Sequence, residues 1–457
     1  MGSILRSSAM LMAILFMTGC VSTRPPQNRH NQPPPESLSN KTPILPTAGA
    51  NEERTSLTGT VTFPEVMDAV LNRHPALEAL RLEKQARQHA AEQAGLWENP
   101  RLGAEYEDFA GSGELSGTDA AETTLTMSQE IPLAGKARKR RKVADLEAEL
   151  TDWDLRLEAL DLLAEAHLAF AHVVAAQQRL DLAEESVELV ERLAQGVEQR
   201  VEAGDVSPVE RTRAQVELST ARIQQRRAQG ALDEARTRLA SLWGEEEAEF
   251  ERVQPDAPSL PELPAFAVLR QRLSTHPGLQ RFDHEKQLQE AKLTLAEAEA
   301  WPDLEVGGGF RQYNENGEHA FLVEVGIPLP FWNRNQGGIA EANTRSAQVT
   351  ANRQAVERKL STELQALTVS ARAQQTVVKE LRDDLLPKSK ATYDAVKTAY
   401  ETGQKDLLDL LDSERTYLQT REALTESNNE LRNLHAELAG LLGMSISELN
   451  HSSRETN

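Results

Sequence analysis

Two aspartates in the C-terminal part of the chain have a spacing that could select ions. Asp409 and Asp412 are three residues apart, so on a helix their carboxylates lie on one face. If copies of the chain surrounded an axis, these carboxylates would form rings that attract cations and repel anions, and crowding would raise some of their pKa values. An acidic first turn that complements the helix dipole would use the same residues. From the residues alone, the helix-dipole interpretation is the simpler one.

The sequence carries no catalytic or metal-binding motif. His167 and His172 are five residues apart, a poor spacing for two ligands on one helix face, and Cys20 is the only cysteine. The motifs HExxH, GxGxxG, GxxxxGK[ST] and GxSxG are all missing. We therefore expect a protein that is not an enzyme and that holds no resident metal or cofactor.

A dense basic run follows a predicted strand at about residue 133. Positive charge at a helix N-terminus is disfavoured by the helix dipole, so the run is expected to have a partner. Lipid phosphates at a membrane face and acidic side chains of the protein itself are equally good candidates. The run consists of Lys136, Arg138, Lys139, Arg140, Arg141 and Lys142.

Composition excludes several classes of protein. The 457 residues carry a net charge of -21, which argues against binding nucleic acid through the whole surface. Aromatic residues make up only 4%, which favours long helices over an all-β sandwich. One cysteine cannot form a disulfide scaffold. The longest apolar run, residues 9–19, is too short for a helix that spans a bilayer, so a helical membrane protein is not expected.

The N-terminus has the pattern of an export signal. Arg6 precedes an apolar stretch at residues 10–16, as in a secretory signal peptide. The segment MTGC at 17–20 resembles the lipobox of bacterial lipoproteins, although that motif prefers Leu where Met17 stands. We predict a signal peptide over 1–19 and a lipid on Cys20. Residues 20–60 are rich in Pro, Asn, Ser and Thr and are predicted to be a tether.

The rest of the chain shows one plan used twice. The segment HPAL at 74–77 recurs as HPGL at 276–279, and NPRL at 99–102 recurs as WPDL at 301–304. Each half predicts a short helix that ends at His-Pro, a helix of about 20 residues, two strands and a long helical hairpin. The predicted division is a first repeat over 61–250, a linker over 251–262, a second repeat over 263–442 and a tail over 443–457.

The hairpins are predicted over 136–243 and 338–442. Their long first helices, about 136–201 and 338–401, are each expected to be unbroken and close to 100 Å long. Apolar residues with alternating 3-4 spacing, such as Leu431, Leu434, Leu438 and Leu441, are typical of coiled coils. At the hairpin tips, Gly204 and Gly403 end a helix, while Ser207 and Asp406 are the predicted N-caps of the returning helices.

The strands are predicted over 100–109, 122–133, 303–313 and 320–329. About ten residues with alternating polarity is the length of a transmembrane β-strand. Four strands cannot close a barrel, and an open sheet edge is not tolerated in lipid, so a barrel must be shared between chains. Three chains would supply twelve strands around an acidic pore. The residues predicted to face that pore are Glu105, Glu107, Glu130, Glu305 and Glu324.

The exported, duplicated strand-strand-long-helix plan resembles the TolC family of outer-membrane efflux channels over about residues 60–442. The segment IPLPFWNRNQGGIA at 327–340 is similar to the strand-to-helix segment of the CzcC-like branch, which serves heavy-metal efflux pumps of the resistance-nodulation-division (RND) class. The segment LLDLLD at 407–412 resembles the family's tip sequence, in which two aspartates form rings at a periplasmic constriction. With this resemblance, we favour Asp409 and Asp412 as a gate. The first tip has Glu210 and Arg213 at the equivalent positions, so the two tips differ.

The resemblance implies a mainly α-helical protein with a membrane β-barrel part. Three chains would form a homotrimer with a twelve-stranded barrel on an α-helical tunnel, placed in the bacterial outer membrane and extending into the periplasm. Its tips would dock onto a periplasmic adaptor and an inner-membrane RND transporter. The predicted adaptor contacts are Gly204, Val206, Gly403 and Lys405.

Three functions remain open from the sequence. The first is an exit duct for heavy-metal cations, with no cofactor apart from the covalent lipid on Cys20. The second is a duct of the same fold for drugs or other organic solutes. The third is a lipid-anchored periplasmic adaptor or coiled-coil scaffold, although adaptors normally have one helical hairpin and this chain is predicted to have two.

Overall fold

A computed structural model describes residues 56–254 and 263–443. The predicted signal peptide 1–19, Cys20, most of the tether and most of the tail 443–457 lie outside the described residues. So does most of the predicted linker 251–262.

The first repeat contains two helices, a strand pair and a long helical hairpin, flanked by two short strands. The hairpin begins directly after the strand pair, at the basic run. The elements are β1 (Gly59–Thr62), α1 (Phe63–Arg73), α2 (Pro75–Ala94), β2 (Arg101–Glu107), β3 (Glu122–Ile131), α3 (Lys136–Glu202), α4 (Pro208–Ser241) and β4 (Phe250–Gln254).

The second repeat follows the same order, as the duplicated landmarks predict. Its hairpin has one interruption, a π-helical turn at Leu381–Leu385. The elements are α5 (Phe266–Leu273), α6 (Pro277–Glu299), β5 (Leu304–Tyr313), β6 (His319–Gly326), α7 (Gln336–Glu380), α8 (Leu386–Glu401) and α9 (Leu407–Leu442).

The His-Pro pairs mark helix boundaries, as predicted. The Nδ1 atom of His74 accepts a hydrogen bond from Ala76 N–H at 3.2 Å, and Nδ1 of His276 accepts one from Gly278 N–H at 3.0 Å. Pro75 and Pro277 occupy the first helical position, where a missing N–H costs nothing. Burial lowers the pKa of His276, which keeps its ring neutral and able to accept this bond.

The prediction of one unbroken helix over 338–401 is wrong because it takes no account of Pro387. A proline has no N–H to donate, and its ring clashes with the carbonyl four residues earlier. The chain accommodates it by widening into the π-helical turn Leu381–Leu385 immediately before α8. By contrast, α3 runs through all 67 of its residues as one helix.

A small parallel sheet, β1 with β4, was not predicted. It takes residues 251–254 from the predicted linker and Gly59 and Thr60 from the predicted tether. Gln177 of α3, which is buried, satisfies both backbone groups of Val253: it accepts from the N–H at 2.7 Å and donates to the carbonyl at 3.0 Å. Phe250 and Val253 belong to the same buried cluster as residues of α3. The strand β4, which pairs with β1, therefore packs against α3.

The other four strands form one antiparallel sheet in the order β2-β3-β5-β6. The β3–β5 pair joins the two repeats. Strands β2 and β6 are the edges, and neither pairs with a further strand in the described part of the chain. Within a single chain this sheet is open and closes no barrel.

Each repeat has its own apolar core, and a third cluster joins them near the tips. Phe63, Phe170 and Trp243 belong to the first core. The second core includes Leu434 and Leu438 of the predicted coiled-coil pattern. The tip cluster combines α3, α4, α8 and α9 and includes Val197, Ala214, Tyr393, Tyr400 and Leu410.

Helix α3 contains a long apolar stretch. A window of α3 (Lys136–Glu202) passes the length and composition test for crossing a membrane, although the sequence predicts no such helix. Half of that window is buried inside the protein. Buried residues such as Ala166, Val173 and Val174 place it in the first core, so α3 is a core helix.

Helix α9 of the second repeat packs closely against α3 of the first repeat at Gly440. A Cβ atom built on Gly440 would lie 2.7 Å from the Cβ of Ala164, closer than real side chains come. Only glycine therefore permits this spacing of the two helices.

This contact predicts opposite effects for two identical substitutions. Gly440→Ala should destabilise the protein by about 1–3 kcal/mol, because the methyl group forces α3 and α9 apart. Gly230→Ala, in the middle of α4 with no atom within 4 Å of the new Cβ, should stabilise it by about 0.5–1 kcal/mol. Thermal unfolding of the purified proteins measures both, and equal shifts would contradict the close helix crossing.

Candidate functional site

The five glutamates predicted to face a pore all lie on one side of the four-stranded sheet. In an antiparallel pair, directly opposite residues point to the same side. Glu130 is opposite Glu305, and Glu324 is opposite Gly307, which is itself opposite Ser128. This side is called the polar face and carries Arg101, Glu105, Glu107, Glu122, Thr124, Thr126, Ser128, Glu130, Glu305, Arg311 and Glu324.

The other side, the apolar face, is exposed in the single chain. Leu102 is 78% exposed, Phe321 83% and Val323 84%. Leu125, Met127, Phe310 and Val325 add to the same surface. An apolar surface of this kind marks contact with a membrane or a protein.

The sequence interpretation missed the importance of Arg311. Its Nε donates to Thr124 Oγ1 at 2.9 Å, and its Nη1 donates to Glu122 Oε2 at 2.8 Å. Its Nη2 lies 3.6 Å from Glu107 Oε2, so one guanidinium connects β5 with β3 and β2. The alternation of β5 predicts that Arg311 lies on the polar face, but nothing in the sequence indicates these partners.

The basic run lies where the sheet meets the helices, and its first member is buried. Lys136 Nζ donates to Asp303 Oδ2 at 2.7 Å, and Asp303 Oδ1 accepts from Leu133 N–H at 2.8 Å. Burial acts to raise the pKa of Asp303, but these two hydrogen bonds and the charges of Lys136 and Arg140 together lower it. Of the two partners that the sequence leaves open for the basic run, Lys136 has the acidic side chain, and placing this residue at the membrane interface is wrong because the ion pair holds it in the interior and ties the two repeats together.

The other five residues of the run are at least partly exposed. Arg140 donates to the carbonyl of Ala94, and Arg141 lies 3.9 Å from Asp145 one turn later. Arg138, Arg141 and Lys142 are exposed. For these exposed residues, both lipid phosphates and acidic side chains remain candidate partners.

The hairpin tips have the local structure that their sequences predict. Gly204 has a φ of +80° and Gly403 one of +73°, a conformation that favours glycine. Ser207 Oγ accepts from Val209 N–H at 3.4 Å, and Asp406 Oδ1 accepts from Asp409 N–H at 2.9 Å. The predicted adaptor contacts Gly204, Gly403 and Lys405 are exposed, and Val206 is partly exposed.

The two aspartates of the predicted gate differ in their surroundings. Asp409 lies 3.0 Å from the ammonium of Lys405 at the same tip. Asp412 is exposed and forms no ion pair within the described residues. In a gate built from these residues, the ring of Asp409 carboxylates would be partly neutralised by Lys405, whereas the ring of Asp412 carboxylates would keep its full negative charge.

A buried glutamate near the tip was not predicted. Glu414 in α9 is 3% exposed, and its Oε1 has no hydrogen-bond partner. It lines two cavities, one of about 570 Å³ between α3, α8 and α9 and a smaller one between α3, α4 and α9. Burial, and then the charge of Glu217, raise the pKa of Glu414 to about 7.

The raised pKa of Glu414 predicts that the protein is more stable in weak acid than above pH 7. Because the pKa is higher in the folded state than in the unfolded state, this stabilisation is complete below about pH 4.5 and is lost as pH rises through 7. Glu414→Gln should remove this pH dependence and stabilise the protein at pH 8 by about 2–3 kcal/mol. Unfolding temperatures between pH 5 and 8 test this, with Glu422→Gln, exposed on the same helix, as the control. An unchanged pH profile in Glu414→Gln would contradict it.

No group of three or more His, Cys, Asp or Glu side chains in the described ranges could hold a metal ion.

Comparison with known proteins gives sequence relatives that cover most of the chain. It is 30% identical to the cobalt-zinc-cadmium resistance protein CzcC of Cupriavidus metallidurans over 367 residues, 79% of this chain and 85% of CzcC. It is 23% identical to the cation efflux system protein CusC of Escherichia coli K12, over 91% of this chain and 94% of CusC.

Solved structures share the fold. A crystal structure of CusC matches with a TM-score of 0.69 and 19% identity, covering 90% of this chain and 99% of CusC. The CmeC outer membrane channel of Campylobacter jejuni matches with a TM-score of 0.67 and 15% identity, covering 90% and 98%. Residues 66–245 and 268–444, one block in each repeat, match the family described as outer membrane efflux protein. The chain therefore belongs to the outer membrane efflux protein family, whose members are transport channels.

Proposed function

We propose that this protein is the outer-membrane exit duct of a tripartite RND-type pump and that it carries heavy-metal cations. The observation that carries the proposal is a sheet with an acidic face, an exposed apolar face and two open edges. The substrate class is supported by the relatives, which are described as resistance proteins for cobalt, zinc and cadmium and as cation efflux proteins. Family membership favours this duct over the adaptor or scaffold alternative.

The open edges support a homotrimer. The four strands alternate in direction, so β6 of one chain and β2 of the next would meet antiparallel. Three chains would give a closed barrel of twelve strands, which leaves room for water where an eight-stranded barrel is filled by side chains. In this assembly the apolar face contacts lipid and the polar face lines the pore.

The acidic pore lining suits cations. Glu105, Glu130, Glu305 and Glu324 form no ion pair within the described residues, so their charge is available to ions in the lumen. The duct itself needs no tight metal site, because conduction requires that ions leave as readily as they enter.

The membrane interface is proposed to lie where the sheet meets the helices. Trp332 is 88% exposed, and Trp301, Phe331 and Leu329 are also exposed there. Aromatic belts of this kind are typical of membrane–water interfaces. The start of α3 follows this junction directly in the chain and carries three exposed basic residues that would meet lipid phosphates, Arg138, Arg141 and Lys142. A lipid on Cys20 would add an anchor.

The tips are proposed to dock onto the periplasmic adaptor, which links the duct to the inner-membrane transporter. Gly204, Val206, Gly403 and Lys405 would contact the adaptor, and Asp409 and Asp412 would form the gate. Only the second tip has an aspartate pair three residues apart, where the first tip has Glu210 and Arg213, so adaptor binding and gating can be divided between the two tips.

The gate predicts a change in conduction. Replacing Asp409 and Asp412 together by Ala should raise single-channel conductance in planar bilayers, because the shorter side chains widen the constriction, and should lower cation selectivity, because the rings of negative charge are removed. Asp205→Ala, which removes an exposed acid from the other tip, is the control. If conductance and selectivity stay unchanged in the double variant, the two aspartates serve only the helix dipole.

The substrate class predicts a growth phenotype. Deleting the gene should sensitise the host to one or more of zinc, cobalt, cadmium, nickel and copper, and the intact gene should restore growth. The same strains are exposed to a panel of organic drugs. Sensitisation to drugs alone would keep the channel but assign it to multidrug export, and sensitisation to neither would contradict a role in efflux.

A further inference from the structure

Two carboxylates face each other near the loop end of the polar face. Glu107 of β2 is directly opposite Glu122 of β3, in the row next to the 108–121 loop. Side chains in such a pair have Cβ atoms about 4.5–5.5 Å apart, and like charges in this position repel each other. The same spacing lets two carboxylates share one divalent cation, because carboxylate oxygen is a ligand for zinc and for harder divalent ions.

The guanidinium of Arg311 already occupies the place of that cation. It lies 2.8 Å from Glu122 and 3.6 Å from Glu107 and is held in position by its bond to Thr124, which is 2% exposed. The Arg311 side chain is 27% exposed, so it is anchored within the sheet surface and still borders the space in front of the polar face. A guanidinium cannot lose its proton at any relevant pH, so this counter-charge is permanent.

The other cation of the polar face does not have these contacts. Arg101 of β2 is exposed and forms no ion pair within the described residues. Its row contains Ser128, Gly307 and Glu324, so no two carboxylates face each other beside it. Arg101 and Arg311 thus carry the same charge on the same face but have different neighbours.

We propose that Arg311 is a specificity-determining residue of the duct, a built-in counter-cation that prevents Glu107 and Glu122 from binding the divalent ions that pass them. This inference rests on the proposed function. A duct for divalent metals must lead them past negative charge without holding them, because a site that binds tightly also blocks. In this protein the one opposed carboxylate pair that has a guanidinium seated against it is the pair nearest the loops. At the loop end of the sheet, a passing metal ion therefore meets no carboxylate pair without a counter-cation. Away from the loops it meets single carboxylates and the Glu130–Glu305 pair.

The test uses the intact protein in planar bilayers with zinc chloride as the probe. Potassium current is recorded while zinc is added to each side in turn. Wild-type current should be less sensitive to zinc than that of Arg311→Gln, in which half-block should fall at a roughly tenfold lower concentration because the freed carboxylates add a second binding pair to Glu130–Glu305. The block should be stronger when zinc is added on the loop side.

Three further variants separate a specific site from a general change of charge. Arg101→Gln removes the same charge from the same face and should leave the zinc sensitivity close to that of the wild type. Glu122→Gln combined with Arg311→Gln removes one of the two carboxylates and should restore wild-type sensitivity. Arg311→Lys keeps the charge but loses the fork that reaches both carboxylates, so it should be intermediate, and it decides the question if Arg311→Gln does not assemble.

Two results would overturn the proposal, and they differ from a failure of the proposed function. Equal zinc block in the wild type, Arg311→Gln and Arg311→Lys would show that Arg311 does not protect the pair. Equal sensitisation by Arg101→Gln and Arg311→Gln would show an effect of charge alone. A wild-type protein that forms no conducting channel would overturn the proposed function and this inference with it.

Discussion

The need of every backbone amide and carbonyl for a hydrogen-bond partner dominates this structure. The sheet β2-β3-β5-β6 has two edges whose outward backbone groups meet no strand in the described chain, and its apolar face is open. In water such an edge invites association, and in a bilayer it cannot exist unpaired. The alternating strand directions make one solution available, in which the edge strand of one chain pairs with the opposite edge strand of the next. The proposed trimer, its acidic lumen and its lipid-facing surface would all follow from that pairing.

The contacts between the repeats explain how a duplicated chain acts as one unit. Pairing of β3 with β5 joins the repeats at the sheet, and Asp303 reaches across to Lys136 and Leu133 at the junction with α3. Farther along, Gly440 permits α9 to lie against Ala164 of α3. These contacts join residues at different positions of the two repeats. The repeats therefore do not need the same sequence to pack together. One such difference lies at the tips, where one hairpin carries Asp409 and Asp412 and the other carries Glu210 and Arg213.

Local signals in the sequence predicted most of the fold. His-Pro boundaries, glycine at the tips and alternating polarity depend on neighbouring residues only, and each was found where it was expected. Pro387 was also a local signal, and neglecting it produced the wrong unbroken helix. The features that could not be predicted depend on residues distant in the chain. Lys136 and Asp303 are 167 positions apart, and Arg311 and Glu122 are 189 apart. Helical spacing from Leu407, Leu410 and Leu411 places Glu414 on the apolar face of α9, but its burial is complete only when α3, α4 and α8 pack against that face.

Amide hydrogen exchange of the protein in lipid bilayers tests the central claim, that the edges of separate chains pair, most directly. If β6 of one chain pairs with β2 of the next, amides in 101–107 and 319–326 will be protected to the same degree as those in the central strands β3 and β5. Rapid exchange of the outward-facing amides in the two edge strands, with β3 and β5 still protected, would show an open sheet and contradict the shared barrel.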